Sequence, residues 1–172
     1  PYFQYNDENQ KTLQSYINNS DVIIDAILGT GVIGNVRYPF KEIIETINRS
    51  NKEIIAVDIP SGVNANTGEV ANVAVKATKT VTFAMQKIGF FLGDGPQFIG
   101  EWKVVDISVP LEIVDTLELD LPILLDEPIA KDALPKRIPH GHKGTFGHCF
   151  VIGGCTNRCN TVSRNFIVPN RR

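Results

Sequence analysis

The stretch that most limits what this chain can become is Asp21-Val22-Ile23-Ile24-Asp25-Ala26-Ile27-Leu28-Gly29-Thr30-Gly31-Val32-Ile33-Gly34-Asn35. Val22 to Ala26 is short, β-branched and apolar on both faces, the pattern of a strand inside a covered parallel sheet. Asp25 falls near its carboxyl end, and a loop with three glycines follows. In open α/β sheets ligands bind outside that edge. Glycines there let the backbone come close to a ligand, and their free amides can hold phosphate oxygens.

The neighbouring segments extend the pattern. Leu13, Tyr16 and Ile17 predict a helix over 9–18. Pro39 suits a helix start, and Phe40, Ile43, Ile44 and Ile47 trace one apolar face opposite Lys41, Glu42, Glu45 and Arg49. Ile54 to Val57 is a second strand that also ends on a carboxylate, Asp58. Helix, strand, loop, helix, strand is the alternation of an α/β, Rossmann-like three-layer αβα sandwich with a mostly parallel sheet. Ile59-Pro60-Ser61-Gly62-Val63 turns away, and 64–72 reads as a polar surface loop. Thr78 to Phe83 and Trp102 to Asp106 are predicted strands, with Trp102 in the core and a glycine-punctuated loop with a short helical turn at 87–96. Five prolines between Pro110 and Pro139 mark a linker or arm, with a helical turn near Ile129 to Leu134. His148 to Gly154 reads as the first strand of a second α/β unit, which the remaining residues are too few to complete. The expected parts are therefore 1–110, 111–139 and 140–172.

Composition narrows the function classes. Hydrophobic residues make up 42% and charged residues 21%, as in globular proteins. A net charge of −2 with no basic stripe argues against nucleic acid, and no apolar run approaches the roughly 20 residues that span a bilayer. Cys149, Cys155 and Cys159 are an odd, clustered set, which points to a reducing, cytoplasmic setting rather than a disulfide framework. With His140 and His142 they match no standard zinc spacing. Pro1-Tyr2-Phe3 reads as interior sequence, so a fragment is expected.

Gly29-Thr30-Gly31-Val32-Ile33-Gly34 fits the literal G-x-G-x-x-G pattern, and Asp58 lies twenty-odd residues on. In a dehydrogenase the helix begins within those glycines and meets the pyrophosphate. Here Tyr38 precedes Pro39 and is pushed out of the helical region, so the helix starts only after a longer loop. If the two strands are neighbours, Asp25 and Asp58 converge above one sheet edge, with the Ser61 hydroxyl beside them. Two close acids need a cation or a shared proton; carboxylate, hydroxyl and carbonyl oxygens suit a hard cation. The alternative is that both acids simply cap turns. Lys87 is either a solvated loop lysine or a phosphate contact. His142-Lys143-Gly144 with Phe146-Gly147 is either an exposed basic turn or a phosphate site.

At these residues the chain resembles the NAD(P)H-hydrate epimerase family, the YjeF N-terminal domains. The resemblance runs through Asp25-Ala26-Ile27-Leu28-Gly29-Thr30-Gly31 with Gly34, Arg37 and Pro39-Phe40. It continues in Val57-Asp58-Ile59-Pro60-Ser61-Gly62 with Gly68, Thr80-Val81-Thr82-Phe83 with Lys87 and Gly89, and Asp106-Ile107 with Val109-Pro110. His142 to His148 with Val151-Ile152-Gly153-Gly154 is similar to the opening of the ribokinase-like NAD(P)H-hydrate dehydratase domain, which uses ADP or ATP; the match stops after Cys155. The resemblance implies repair of nicotinamide cofactors: an epimerase interconverting R- and S-hydrates of NADH or NADPH, in a bifunctional parent that also dehydrates the S form. It implies potassium held by Asp25 and Ser61, and hydrate contacts from Gly29, Thr30, Gly31, Val32, Ile33, Gly34, Asn35 and Asp58. Asp58 is the acid/base candidate, because a carboxylate at a water-poor edge can have its pKa raised into a useful range.

The family's asparagine- and glycine-rich loop, which completes the potassium and substrate site, has no counterpart before Asp21. A half-sheet leaves an open edge and an exposed apolar face, so impaired activity is expected, and a homo-oligomer is possible. Two further readings are an NAD(P)-dependent oxidoreductase, favoured by a helix starting inside Gly31 to Gly34, and a non-catalytic nucleotide-binding module.

Overall fold

A computed structural model describes residues 2, 4–6, 9–117, 122–133 and 140. The chain forms two compact units, residues 1–122 and 123–172. In the first, α1 (Gln10–Asn19) leads into β1 (Val22–Asp25), α2 (Phe40–Asn48) and β2 (Glu53–Val57). These are followed by β3 (Lys79–Phe83), β4 (Glu101–Val105) and α3 (Leu111–Thr116). The helix at α3 falls where sequence predicts a linker. In the second unit α4 (Glu127–Ala133) covers most of the predicted helical turn, and the Asp126 carboxylate caps it by accepting from the Ile129 amide at 3.0 Å. The predicted strand at 148–154 lies outside the described residues.

The four strands form one parallel sheet in the order β1-β2-β3-β4. Parallel pairing of consecutive strands puts all four carboxyl ends, and hence Asp25 and Asp58, on one rim. Each strand is joined to the next by a crossover, but only the first crossover holds an α-helix, α2. The other two, 58–78 and 84–100, are irregular chain with short 3-10 turns at Ile88–Phe90 and Gly95–Gln97.

Side chains alternate between the sheet's faces. On the covered face Ile23 and Ile54 pack with Ile17 of α1 and with Ile44 and Ile47 of α2. Full burial of an isoleucine such as Ile44 contributes about 2 kcal/mol. The irregular crossovers supply a second cluster, Ile59, Val63, Ala65, Ala74, Phe90 and Ile99. Trp102, expected in the core, lies on edge strand β4 and is 37% exposed, covered on one side by Phe90 and Phe91.

The opposite face carries Val22, Ile24, Ile55, Val57, Val81, Phe83 and Val105, and none of them is buried. Ile24 is 60% exposed. The second helical layer that a β-branched run apolar on both faces calls for is therefore not among the described residues. The expected open edge and exposed apolar face are both present.

Candidate active site

Asp25, the last residue of β1, is fully buried. Its Oδ1 accepts from the Ser61 hydroxyl at 2.6 Å and the Ile27 amide at 3.3 Å; its Oδ2 accepts from the Ser61 amide at 2.8 Å. The Ser61 oxygen in turn accepts from the Leu28 amide at 2.8 Å. Burial pushes the Asp25 pKa up, opposed by the Ser61 hydroxyl and the two amides. The turn after β2 is thus tied directly to the loop after β1.

Asp58 follows β2 in a left-handed conformation, φ +67°. That costs a non-glycine residue about 1 kcal/mol. It turns its carboxylate away from Asp25, toward β3. Oδ1 accepts from the Thr82 hydroxyl at 3.0 Å and the Phe83 amide at 3.0 Å, and pairs with Lys87 Nζ at 2.8 Å. Burial pushes Asp58 up, but Lys87, the Phe83 amide and Thr82 together outweigh it and hold the pKa below the ordinary carboxylate value. This corrects the sequence-based reason for choosing Asp58 as acid/base: the raised carboxylate is Asp25, and Asp58 is an ionised group at neutral pH. The two acids share a rim and one turn, residues 58–61, but no hydrogen-bond partner.

The glycine loop lies beside them. Gly29, Gly31, Val32, Ile33 and Asn35, with Leu28, Val36, Arg37 and Phe40, line a cleft of about 280 Å³. Thr30 and Gly34 do not line it, and neither do Asp25 or Asp58. A Cβ at Gly29 or Gly31 would meet nothing within 4 Å, so packing does not demand glycine there; the space at Gly34 is also open, but its φ of +74° favours glycine. The helix α2 begins at Phe40, not within Gly31 to Gly34, which disfavours the oxidoreductase reading.

The loop's shape is set by residues that sequence reasoning left in a surface loop. Asn72 Oδ1 accepts from the Val36 amide at 2.9 Å, and Asn72 Nδ2 donates to the Val36 carbonyl at 2.9 Å. Asn64 Nδ2 donates to the Val32 carbonyl at 3.3 Å. An asparagine matching both backbone groups of one residue acts as a strand neighbour would, and nothing local in the sequence marks it. Asn72→Ala leaves both polar groups of the buried Val36 unpaired. It is expected to cost about 2 kcal/mol of stability and to open the Val36 amide to hydrogen exchange. Unchanged protection at Val36 would show that the loop is held by something else.

Asp25, Ser61 and the Leu28 carbonyl, 3.2 Å from the Ser61 hydroxyl, gather hard oxygens at one point. They fit a hard cation in donor type. Among the described residues no three His, Cys, Asp or Glu side chains come together. The fit is therefore partial in number.

Fold and rim define an α/β protein whose strand ends present an acid, a hydroxyl and an open glycine loop. The family described as "YjeF-related protein N-terminus" matches residues 3–89, and the chain belongs to it. It is 38% identical over 134 residues to the bifunctional NAD(P)H-hydrate repair enzyme Nnr of Coxiella burnetii, 78% of this chain and 27% of that protein. Identity to the Nnr of Methanothermobacter thermautotrophicus is 43% over 136 residues, 79% and 24% of the two chains. Identity to the NAD(P)H-hydrate epimerase of Rhodopirellula baltica is 40% over 95 residues, 55% and 39%. This chain thus spans about a quarter of the bifunctional relatives. The crystal structure of yeast ynu0 shares the fold, with a TM-score of 0.51 at 20% identity, covering 66% of this chain and 46% of that one. Among the described residues no helix is long and apolar enough to cross a membrane.

Proposed function

We propose that this chain carries a portion of an NAD(P)H-hydrate epimerase site, working on the R- and S-hydrates of NADH or NADPH in nicotinamide cofactor repair. The observation that carries the reading is its 40% identity to the Rhodopirellula baltica epimerase. Asp25 closes β1 and Asp58 follows β2, its parallel neighbour, at the same rim of the sheet. In this reading the loop Gly29, Thr30, Gly31, Val32, Ile33, Gly34 and Asn35 contacts the hydrate, its three glycines offering bare backbone. Asp58, ionised, would accept the proton of the hydrate's hydroxyl while the hydrated carbon loses its configuration and return it when the opposite configuration forms, so that no net proton is consumed. Asp25 and Ser61 would hold potassium, which supplies a fixed positive charge beside the hydrate. The bifunctional parent would also dehydrate the S form with ADP or ATP; the segment resembling that domain, 140–172, lies almost wholly outside the described residues. A reducing cytoplasm, where the cofactor pool is, fits the cysteine usage.

The exposed sheet face makes slow turnover the expected result. Pure S-hydrate incubated with the chain should equilibrate with the R form faster than in buffer, and Asp58→Asn should abolish the gain. No acceleration would refute the function. Turnover equal to that of a complete epimerase would refute the impairment.

A further inference from the structure

Three donors converge on one oxygen of Asp58. Thr82, the Phe83 amide and Lys87 all meet Oδ1, while Oδ2 accepts from no described residue. Lys87 is fully engaged in turn. Besides Asp58 its Nζ reaches Thr82 Oγ1 at 3.0 Å, the Phe83 carbonyl at 3.1 Å and the Met85 carbonyl at 3.1 Å. An ammonium has three N–H groups, so four acceptors leave none for a phosphate. Nor is this a solvated lysine: its side chain is 21% exposed and that of Asp58 is 23%. The turn after β3 is shaped to receive it, with Ala84 at φ +59° and both flanking carbonyls turned to the ammonium. Asp58 itself holds a strained backbone that glycine would adopt freely, so the side chain is kept against a local preference. Among the described residues Lys87 is the charged group that contacts Asp58; Asp25, on the neighbouring strand, turns to Ser61 instead.

We propose that Lys87 is a positioning residue for Asp58: with Thr82 and the Phe83 amide it pins Oδ1, so that Oδ2 is the one oxygen Asp58 presents to a ligand at the rim. The ligand's role here rests on the epimerase reading; the Lys87–Asp58 coupling does not.

Carbon-13 NMR titration of the Asp58 carboxyl in the full chain separates the two, using wild type, Lys87→Met, Lys87→Arg and Thr82→Val. Lys87→Met should raise the Asp58 midpoint by about one pH unit or more, and Lys87→Arg should restore most of it. Thr82→Val should raise it by less, and it carries the test if Lys87→Met does not fold. An unmoved midpoint in these variants overturns the proposal. On hydrate epimerisation at pH 7, Lys87→Met should lower kcat about tenfold to a hundredfold, with KM within about threefold of wild type and partial rescue by Lys87→Arg. A raised KM with unchanged kcat would overturn positioning and make Lys87 a binding group. A wild type that shows the coupled titration but no turnover would refute the epimerase reading and leave the coupling intact.

Discussion

Asp25→Ala is expected to lower the unfolding free energy by about 3 kcal/mol or more, read as a shift of the urea midpoint at constant slope. The carboxylate is fully buried and accepts from the Ser61 hydroxyl, the Ser61 amide and the Ile27 amide. Removing it leaves two N–H groups short of an acceptor, and the Ser61 hydroxyl with only the Leu28 carbonyl at 3.2 Å, in a place with little access for water. Asp25→Asn is the informative companion. Asparagine keeps an acceptor for the Ser61 amide and an amide that can face the Ser61 oxygen, and it carries no buried charge. Its cost should be about 1 kcal/mol. Equal losses in the two variants would mean that the charge, and not the hydrogen bonding, holds β1 to the turn after β2.

The second large effect is at Gly68. Its φ is +71°, and a Cβ there would fall on the Leu92 carbonyl oxygen and within 2.7 Å of the Gly89 carbonyl oxygen. Gly68 is also where the crossover 58–78 meets the crossover 84–100, through the Asp94 amide bonded to the Gly68 carbonyl at 3.1 Å. Gly68→Ala must push these crossovers apart as well as adopt a left-handed conformation, and about 3 kcal/mol or more of stability should be lost. The shift would reach the glycine loop, because Asn64 and Asn72 flank Gly68 and hold Val32 and Val36. Gly31→Ala should behave in the opposite way. Its Cβ meets open space, so stability should change by less than about 0.5 kcal/mol while hydrate binding falls. A Gly31→Ala protein as destabilised as Gly68→Ala would remove the case that this glycine serves a ligand.

The glycine loop shows how far local reading reaches. Its place after a strand, its length and the late start of α2 at Phe40 all follow from nearby residues. The cleft beside it does not, because its walls are positioned by Asn64 and Asn72, some thirty residues away. Lys87 shows the same limit. Read locally it is either a solvated lysine or a phosphate contact, and it is neither: three of its acceptors are within five residues, but the carboxylate that pairs its charge, Asp58, arrives only when β2 and β3 pair.

What the chain determined by itself is what depends on neighbours within one or two turns. The spacing of Leu13 and Ile17 makes α1, Ile44 and Ile47 make α2, and runs of β-branched residues make β1 and β2, each ending on an acid. Only the tertiary structure decided what each acid is. Asp25 and Asp58 have nearly the same local setting, a strand end before a turn. Yet Asp25 is sealed in by Ser61, 36 residues on, and its pKa is raised. Asp58 meets Lys87, 29 residues on, and its pKa is lowered. Burial and opposing charge act through space, so the charge state of a carboxylate is set by which strands lie side by side.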